Sequence, residues 1–383
     1  MEGCVFMIIL YAIIGILFFC YSYTQVDLGM TLSQVGVWQS MQKWFQHIGY
    51  FQRPLSTLLF ISLISAYFMM YGWVLRAIQK KKISSKTVWT IILLTAGILV
   101  FSYPAFSYDL FNHMFTAKTV LVYHKNPYLV TPLQFAGVDP WLSFMHWTHV
   151  TSIYSPLWIF MTLFPYMFGF GYFLLLLWNF KILIVFFYLL AAWGIGKILE
   201  NDGKIAQLTG IAIFALNPLV IIESTVSAHN DIVMMGLAIA SIALFERKKL
   251  WSWVLLSASI AIKMMTACLI PAYFLKRNRW VALVVMSIGL LLFLSEREVM
   301  AWYLLWILPF VALLPAKWNL IILSSGVSLG LLLRYAPFLY YGNWDYPVPE
   351  IKIWVTAIPI AITAIIAIGR FIFLKCNIRY FFD

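Results

Sequence analysis

The stretch TVWTIILLTAGILVFSYPAFSYDLFNHMFTAKTVLVYHKNPY, Thr87–Tyr128, decides the fold class of this protein. Its first part, Thr87–Phe106, is an apolar run without a charged residue. An aspartate, two histidines, two lysines and an Asn-Pro-Tyr follow it. A helix needs about 20 mostly apolar residues to cross a bilayer. The run therefore predicts a membrane span, and the polar groups follow where the chain leaves the membrane.

The rest of the chain has the same apolar character. Of its 383 residues, 63% are hydrophobic and 10% are charged, against about 45–50% apolar and about 25% charged in soluble domains. No polar stretch is long enough to enclose a soluble core. We therefore predict an all-α, polytopic membrane protein with about ten spans, at 4–23, 54–78, 87–105, 171–197, 205–226, 231–246, 280–295, 301–316, 319–337 and 352–370.

The basic residues are grouped in short loops between the apolar runs. Such groups are typical of the cytoplasmic side of a membrane protein, so the net charge of +12 indicates topology and anionic lipid neighbours rather than nucleic-acid binding. With the N-terminus inside, the two long loops 24–53 and 107–153 lie outside. The basic groups are Arg76 with Lys80–Lys82 and Lys86, then Arg247–Lys249, then Lys276, Arg277 and Arg279.

Two apolar stretches do not fit as full spans. Pro156–Phe168 is short, and Trp251–Phe274 has basic flanks at both ends with Lys263 in its middle. Backbone that enters a membrane and returns is tolerated only where it packs on protein or lines a cavity. We expect Trp251–Phe274 to form two re-entrant half-helices, within one domain comprising N-terminal spans (1–86), a core with the outward loop 107–153 (87–315) and C-terminal spans (316–383).

The segment after Pro104 holds the most prominent group of polar side chains. If a helix starts near Ser107 as its N-cap, Asp109, Asn112 and His113 share one face through i, i+3 and i+4 spacing. The alternative is that Asp109 only favours the helix N-terminus and faces water.

A second group of polar residues lies further along the chain. Ionisable residues inside a membrane are functional candidates by default, and they are Lys181, Glu223, Lys263 and Arg334. Lys181 could pair with Glu223 as a structural contact. His229, Asn230 and Asp231 follow Glu223, although Asn230 or Asp231 could simply cap the next helix. Arg297 stands close to Trp302 and Tyr303.

The order of these motifs resembles the GT-C superfamily of membrane glycosyltransferases, especially bacterial mannosyltransferases that use polyprenyl-phosphate sugars. The resemblance covers roughly residues 87–315. Its motifs are Asp109, Asn126-Pro127-Tyr128, Tyr154-Ser155-Pro156, Asn217-Pro218, His229-Asn230-Asp231, Lys263 and Trp302-Tyr303. One departure is that family members often place the acidic residue after the first span, so Asp27 competes with Asp109.

This resemblance implies transfer of a sugar, mannose being expected, from a polyprenyl-phosphate donor to a glycan or glycolipid hydroxyl outside the plasma membrane. Asp109 would act as the general base, without cofactor or metal, because a sugar phosphate already has a good leaving group. A transporter or flippase for a lipid-linked sugar is the alternative. The expected substrate-binding residues are Asn112, His113, Tyr128, Tyr154, His229, Asn230, Asp231, Lys263, Arg297, Trp302, Tyr303 and Arg334.

Overall fold

The computed structural model describes residues 2–275 and 278–379. Within them the protein is helical and contains no strand, which confirms the all-α prediction. The helices are α1 Glu2–Ser22, α2 Gly36–Gln46, α3 Arg53–Gln79, α4 Ser85–Leu99, α5 Asp109–Leu121, α6 Pro156–Met167, α7 Phe173–Ile198, α8 Lys204–Ala215, α9 Pro218–Ile221, α10 Asp231–Leu244, α11 Lys249–Ile262, α12 Ile270–Phe274, α13 Arg279–Leu294, α14 Leu308–Ala312, α15 Trp318–Leu333, α16 Tyr335–Tyr341 and α17 Val348–Arg379.

The long segments 23–52 and 100–155 come together at one end of the molecule, which we call the loop end. The hydroxyl of Tyr108 donates a hydrogen bond to the Asp27 carboxylate at 3.2 Å. The Ser143 hydroxyl donates to the Gly29 carbonyl at 3.1 Å. The two segments that the charge pattern assigns to the same side of a membrane therefore contact each other.

The basic groups come together at the opposite end, which we call the basic end and define by residues 80–84, 199–204 and 245–249. A guanidinium nitrogen of Arg247 lies 3.5 Å from the Glu200 carboxylate, and Arg279 forms an ion pair with Asp202. This separation of the loops from the basic groups agrees with the charge pattern. Lys276 and Arg277, which belong to the same pattern, lie outside the described residues.

Within the described residues, five helical stretches are long and apolar enough to cross a membrane, and a sixth arises if α8 and the stretch Pro218–Val226, bent by 55°, form one broken span. The predicted spans at 87–105, 231–246 and 280–295 are shorter helices, namely α4, α10 and α13, of 14 to 16 residues. The segment 301–316 was expected to be a helical span, and this detail is wrong. It forms a 3₁₀ turn, Ala301–Trp306, and the short α14. Most of it is buried, so the surrounding protein accommodates the irregular backbone.

The stretch 249–274 enters the molecule and returns, as predicted. Its flanks lie at the basic end, since Arg247 and Arg279 contact Glu200 and Asp202 there. The backbone becomes extended at Lys263, with φ −147° and ψ 128°, between α11 and the 3₁₀ turn Met264–Leu269. α6 is likewise a short helix of 12 residues that starts after the loop segment 100–155.

Lys181 does not pair with Glu223, so that expectation is wrong. Its side chain is fully buried on α7. Its Nζ donates to the Leu99 carbonyl at 2.9 Å and to the Ser102 hydroxyl at 2.7 Å. The carbonyls at a helix C-terminus carry partial negative charge, so the end of α4 binds this nitrogen without a carboxylate. Lys181 thereby holds the beginning of the segment that leads to Asp109.

Small residues let several helices pack closely. At Gly236 of α10, a Cβ atom would lie 2.6 Å from the Phe187 carbonyl oxygen of α7. At Gly330 of α15, a Cβ atom would lie 2.5 Å from the Thr356 carbonyl oxygen of α17. Close backbone approach at small residues is the usual way in which membrane helices associate.

Candidate active site

Asp109 is the first residue of α5 and lies at the edge of a cleft at the loop end. Ser107 was expected as the N-cap, but Tyr108 occupies that position, and the Ser107 hydroxyl instead accepts a hydrogen bond from the Asp109 backbone N–H at 3.2 Å. The cleft has about 260 Å³ of free volume. It is lined by Asp109, Asn112, Phe115, Thr116, Thr119, Pro127, Val130, Pro132, Met145, Trp147, Val150, Thr151, Ser152, Ile153 and Tyr154.

His229 lies between two carboxylates. Its Nδ1 is 3.4 Å from Asp109 Oδ2, and its Nε2 is 3.3 Å from Glu223 Oε2. The Asp109 side chain is 29% exposed, whereas those of His229 and Glu223 are 1% and 0% exposed. The Tyr335 hydroxyl donates to Glu223 Oε1 at 2.9 Å. The cluster therefore runs from the accessible Asp109 to a carboxylate that water does not reach.

The backbone around His229 departs from regular helix. Asn217 accepts a hydrogen bond from the Leu219 N–H at 2.9 Å and donates to the Ser328 hydroxyl at 3.1 Å, which starts α9 after the break. A π-helical turn, Ile222–Val226, follows. Ala228 then has φ +57°, a conformation that costs a non-glycine residue energy and often marks a functional site. These features turn His229 towards Asp109.

The charges of the cluster change the pKa of its members. Burial alone would raise the pKa of Asp109, but His229, His113 and Lys263 together lower it below its ordinary value. Burial alone would lower the pKa of His229, but Asp109 and Glu223 raise it to about 9. At neutral pH, Asp109 is therefore a carboxylate and His229 an imidazolium.

His113 is a buried, neutral imidazole on the same helix as Asp109. Burial lowers its pKa to about 3. Its Nδ1 accepts a hydrogen bond from the Trp158 indole N–H at 3.0 Å, so its proton is on Nε2, which has no partner within the described residues. The ring centroid of Tyr154 lies 4.3 Å from that of His113.

Asp231 and Lys263 form the second ion pair of the site. Lys263 Nζ lies 2.7 Å from Asp231 Oδ2, and the Trp306 indole N–H donates to Asp231 Oδ1 at 2.6 Å. Asn230 is the N-cap residue of α10, as one alternative expected, but its side chain makes no capping hydrogen bond, and Asp231 stands in the first turn. The ring of Trp302 stacks on His229 with centroids 4.0 Å apart. The re-entrant break at Lys263 thus meets the start of α10.

The remaining candidate site residues make their contacts outside the cluster of Asp109, His229 and Glu223. The Tyr128 hydroxyl donates to the Tyr154 carbonyl at 2.7 Å and so braces the loop at the cleft. Tyr303 and Arg297 both pack on Phe293, with Arg297 4.8 Å from the ring centroid. Arg334 instead binds Glu298 at 2.9 Å. The Asp27 carboxylate, which is the competing candidate for the base, accepts a hydrogen bond from the Tyr108 hydroxyl.

Sequence reasoning missed three residues of the site and gave a fourth, Glu223, the wrong partner. Glu223 is an intramembrane candidate in the sequence, where Lys181 is its expected partner. Trp306, Tyr335 and Trp158 looked like ordinary interfacial or core aromatic residues, since nothing in their spacing distinguishes them. The one available signal was that buried tryptophan and tyrosine usually bring a hydrogen-bond donor that needs a partner.

Residues 13–279 match the family model described as alpha-(1->6)-mannopyranosyltransferase, N-terminal domain. The chain belongs to this family. It is therefore a GT-C-type mannosyltransferase of the membrane, and the resemblance inferred from its motifs is confirmed. No curated protein and no solved structure matches the chain. The family match includes Asp109, His229 and Lys263, whereas Trp302, Trp306 and Tyr335 follow it.

Proposed function

We propose that this mannosyltransferase transfers mannose from a polyprenyl-phosphate donor to an acceptor hydroxyl at the outer face of the plasma membrane. The observation that carries the proposal is the position of Asp109. It is a partly exposed carboxylate at the mouth of a cleft, in contact with an imidazolium and on the opposite end from the basic groups. A hydrophilic acceptor can reach this exposed carboxylate from water, and the lipid-linked donor would approach it from the membrane.

The chemistry needs one base. Asp109 accepts the proton of the acceptor hydroxyl while that oxygen attacks the anomeric carbon of mannose. The bond between the anomeric carbon and the phosphate oxygen breaks, and its electron pair leaves with polyprenyl phosphate. The products are a mannoside and polyprenyl phosphate, so no redox partner or covalent enzyme intermediate is required.

The departing phosphate needs positive charge and hydrogen-bond donors. Lys263 supports this role because its side chain is 31% exposed while Asp231 holds its ammonium at 2.7 Å. Arg297 is exposed and lies beside Tyr303 through their shared contact with Phe293. His113 Nε2–H offers a further donor near Asp109. Arg334 is less suited, since its side chain is 16% exposed, about half as much as that of Lys263.

The alternative of a transporter or flippase fits these contacts less well. Substrate sites of such carriers lie near the middle of the membrane between two repeats. Here the buried Lys181 is bound to the end of α4, and the polar cluster lies at the loop end. An arrangement at one end favours an enzyme that works at the membrane surface.

A donor panel tests the proposal. Purified protein in lipid nanodiscs is incubated with polyprenyl-phosphate mannose, polyprenyl-phosphate glucose or GDP-mannose, each with a short α-(1→6)-linked mannoside. We expect a lengthened mannoside and free polyprenyl phosphate only with the lipid-linked mannose, and equally so after treatment with EDTA. Transfer from GDP-mannose alone would overturn the proposed donor, and movement of lipid-linked mannose across vesicles without transfer would favour the carrier.

A further inference from the structure

We propose that Glu223 is a positioning residue that keeps the ring of His229 charged and directed at Asp109. This inference rests on the proposed function, because its catalytic consequence requires Asp109 to be the base. The geometry itself does not depend on that function. Glu223 lies behind His229, so it does not touch substrate and acts only through the imidazole.

The two contacts of His229 determine its protonation. A neutral imidazole has one N–H donor and one acceptor nitrogen, whereas an imidazolium has two donors. Here Nδ1 faces Asp109 Oδ2 at 3.4 Å and Nε2 faces Glu223 Oε2 at 3.3 Å. A neutral ring would turn a lone pair towards one of the carboxylates. His229 Nε2 and Glu223 Oε2 form no hydrogen bond, so Glu223 acts on the ring through its charge at 3.3 Å. An opposite charge on each side of the ring favours the imidazolium, and the second carboxylate adds to the effect of Asp109.

The surroundings of Glu223 leave it one counter-charge. Its side chain is fully buried, and among the described residues its ion-pair partner is His229 alone. The uncharged Tyr335 hydroxyl donates a hydrogen bond to the other carboxylate oxygen, Oε1, at 2.9 Å. A buried carboxylate without a paired cation is costly, so Glu223 and His229 stabilise each other's charge. The Tyr335 contact also fixes the carboxylate on the side of the ring away from Asp109.

Other charged and titratable groups face His229 less directly. Lys263 and His113 are close enough to influence Asp109, but Lys263 is bound to Asp231 and His113 is neutral at ordinary pH. Trp302 covers one face of the His229 ring at 4.0 Å between centroids, and a ring face attracts a cation. These neighbours favour the same protonation state and orientation of His229.

The consequence for Asp109 is orientation and charge. The imidazolium lies 3.4 Å from Oδ2, which leaves Oδ1 to receive the proton of the acceptor. It also keeps Asp109 ionised, because an opposite charge at this distance favours the carboxylate. Without Glu223, the pKa of His229 would be lower, since burial opposes the charged ring and Asp109 alone would raise it, and the ring would hold Asp109 less firmly in one orientation.

The test is Glu223→Gln, which keeps the size of the side chain and an oxygen for the Tyr335 hydroxyl. We expect transfer at pH 8 to fall about tenfold, with an unchanged KM for polyprenyl-phosphate mannose. The upper pH limit of activity should move down by about one unit or more, since one unit corresponds to a tenfold change in the charged fraction. Glu223→Asp retains the charge and should restore most of the wild-type profile. Glu200→Gln, at the basic end, is the matched control and should behave as wild type.

A second measurement does not need activity. The stability contributed by a histidine with a raised pKa is present below the unfolded value, about 6.5, and is lost as pH rises through the folded value, about 9. The unfolding temperature in detergent should therefore fall between pH 6.5 and 9 in the wild type, and over a lower, narrower range in Glu223→Gln. His229→Gln should show no such change.

Each result has a distinct meaning. Wild-type pH dependence in Glu223→Gln, in both activity and unfolding, would overturn the inference. Absence of transferase activity in the wild type would overturn the proposed function, while the unfolding measurement would still test the contact. If Glu223→Gln does not fold, Glu223→Asp carries the test. Its shorter side chain moves the carboxylate away from His229, so the pH range over which the unfolding temperature falls should shift down by a smaller amount.

Discussion

His229 Nδ1 lies 3.4 Å from Asp109 Oδ2, although one residue belongs to the turn before α10 and the other begins α5. This contact joins the segment that follows the broken span α8–α9 to the loop end of the molecule. It places a positive group against the most accessible carboxylate of the site. The chemistry of the enzyme is therefore expected to depend on two segments that are distant in the sequence and meet only in the tertiary structure.

Asp109→Asn should abolish the base while preserving the shape of the cleft. We expect transfer at least about 10²-fold slower, as for loss of a general base, with folded protein that still binds polyprenyl-phosphate mannose in a filter-binding assay. Asp27→Asn is the control, because Asp27 contacts Tyr108 rather than His229, and it should remain active. An active Asp109→Asn together with an inactive Asp27→Asn would move the base to the first long loop.

Lys263→Met and Arg297→Met test the phosphate contacts. Each should slow transfer by about 10²-fold or more, by analogy with loss of a donor that stabilises developing negative charge. The effect of Lys263→Met should be the larger, since it also leaves Asp231 buried without its cation. Arg334→Met is the comparison, and we expect its main effect on unfolding temperature because it binds Glu298. Full activity in both Lys263→Met and Arg297→Met would place the phosphate elsewhere.

His113 predicts a loss of stability in acid. Its pKa is lowered by burial to about 3, whereas an unfolded histidine titrates near 6.5. As pH falls below about 6.5, this histidine binds a proton in the unfolded chain but not in the folded protein, so the stability of the folded protein decreases. The unfolding temperature between pH 7 and 5 should fall less in His113→Asn than in the wild type. His149→Asn provides the control, because His149 is exposed. If the unfolding temperature changes equally with pH in the wild type and both variants, the acid sensitivity does not come from His113.

Gly236→Ala tests the close packing of α7 and α10. The added Cβ would lie 2.6 Å from the Phe187 carbonyl oxygen, and separating the helices should destabilise the protein by roughly 1–3 kcal/mol. Gly97→Ala in α4 is the matched control, since a Cβ there meets nothing within 4 Å. It should be neutral or slightly stabilising because alanine favours a helix. Equal unfolding temperatures for the two variants would show that α7 and α10 can separate without cost.

The sequence by itself determined the class of protein, the separation of basic groups from long loops, and the breaks at Asn217-Pro218 and Lys263. These follow from local causes. Apolar length dictates a membrane helix, short basic loops collect on one side, and proline disrupts a helix where it stands. Asp109 could be singled out for the same reason, since few acidic residues stand directly where an apolar run ends.

Only the tertiary structure decided which charges meet. The sequence offered Glu223 as a partner for Lys181, but Lys181 is stabilised by the end of α4 and Glu223 by His229 and Tyr335. A buried charge can be compensated by carbonyl groups, a carboxylate or an imidazolium, and composition does not distinguish among them. The choice depends on which faces of α4, α7 and the segment 217–230 pack together. That packing is a property of the whole chain, so it could not be read from any one motif.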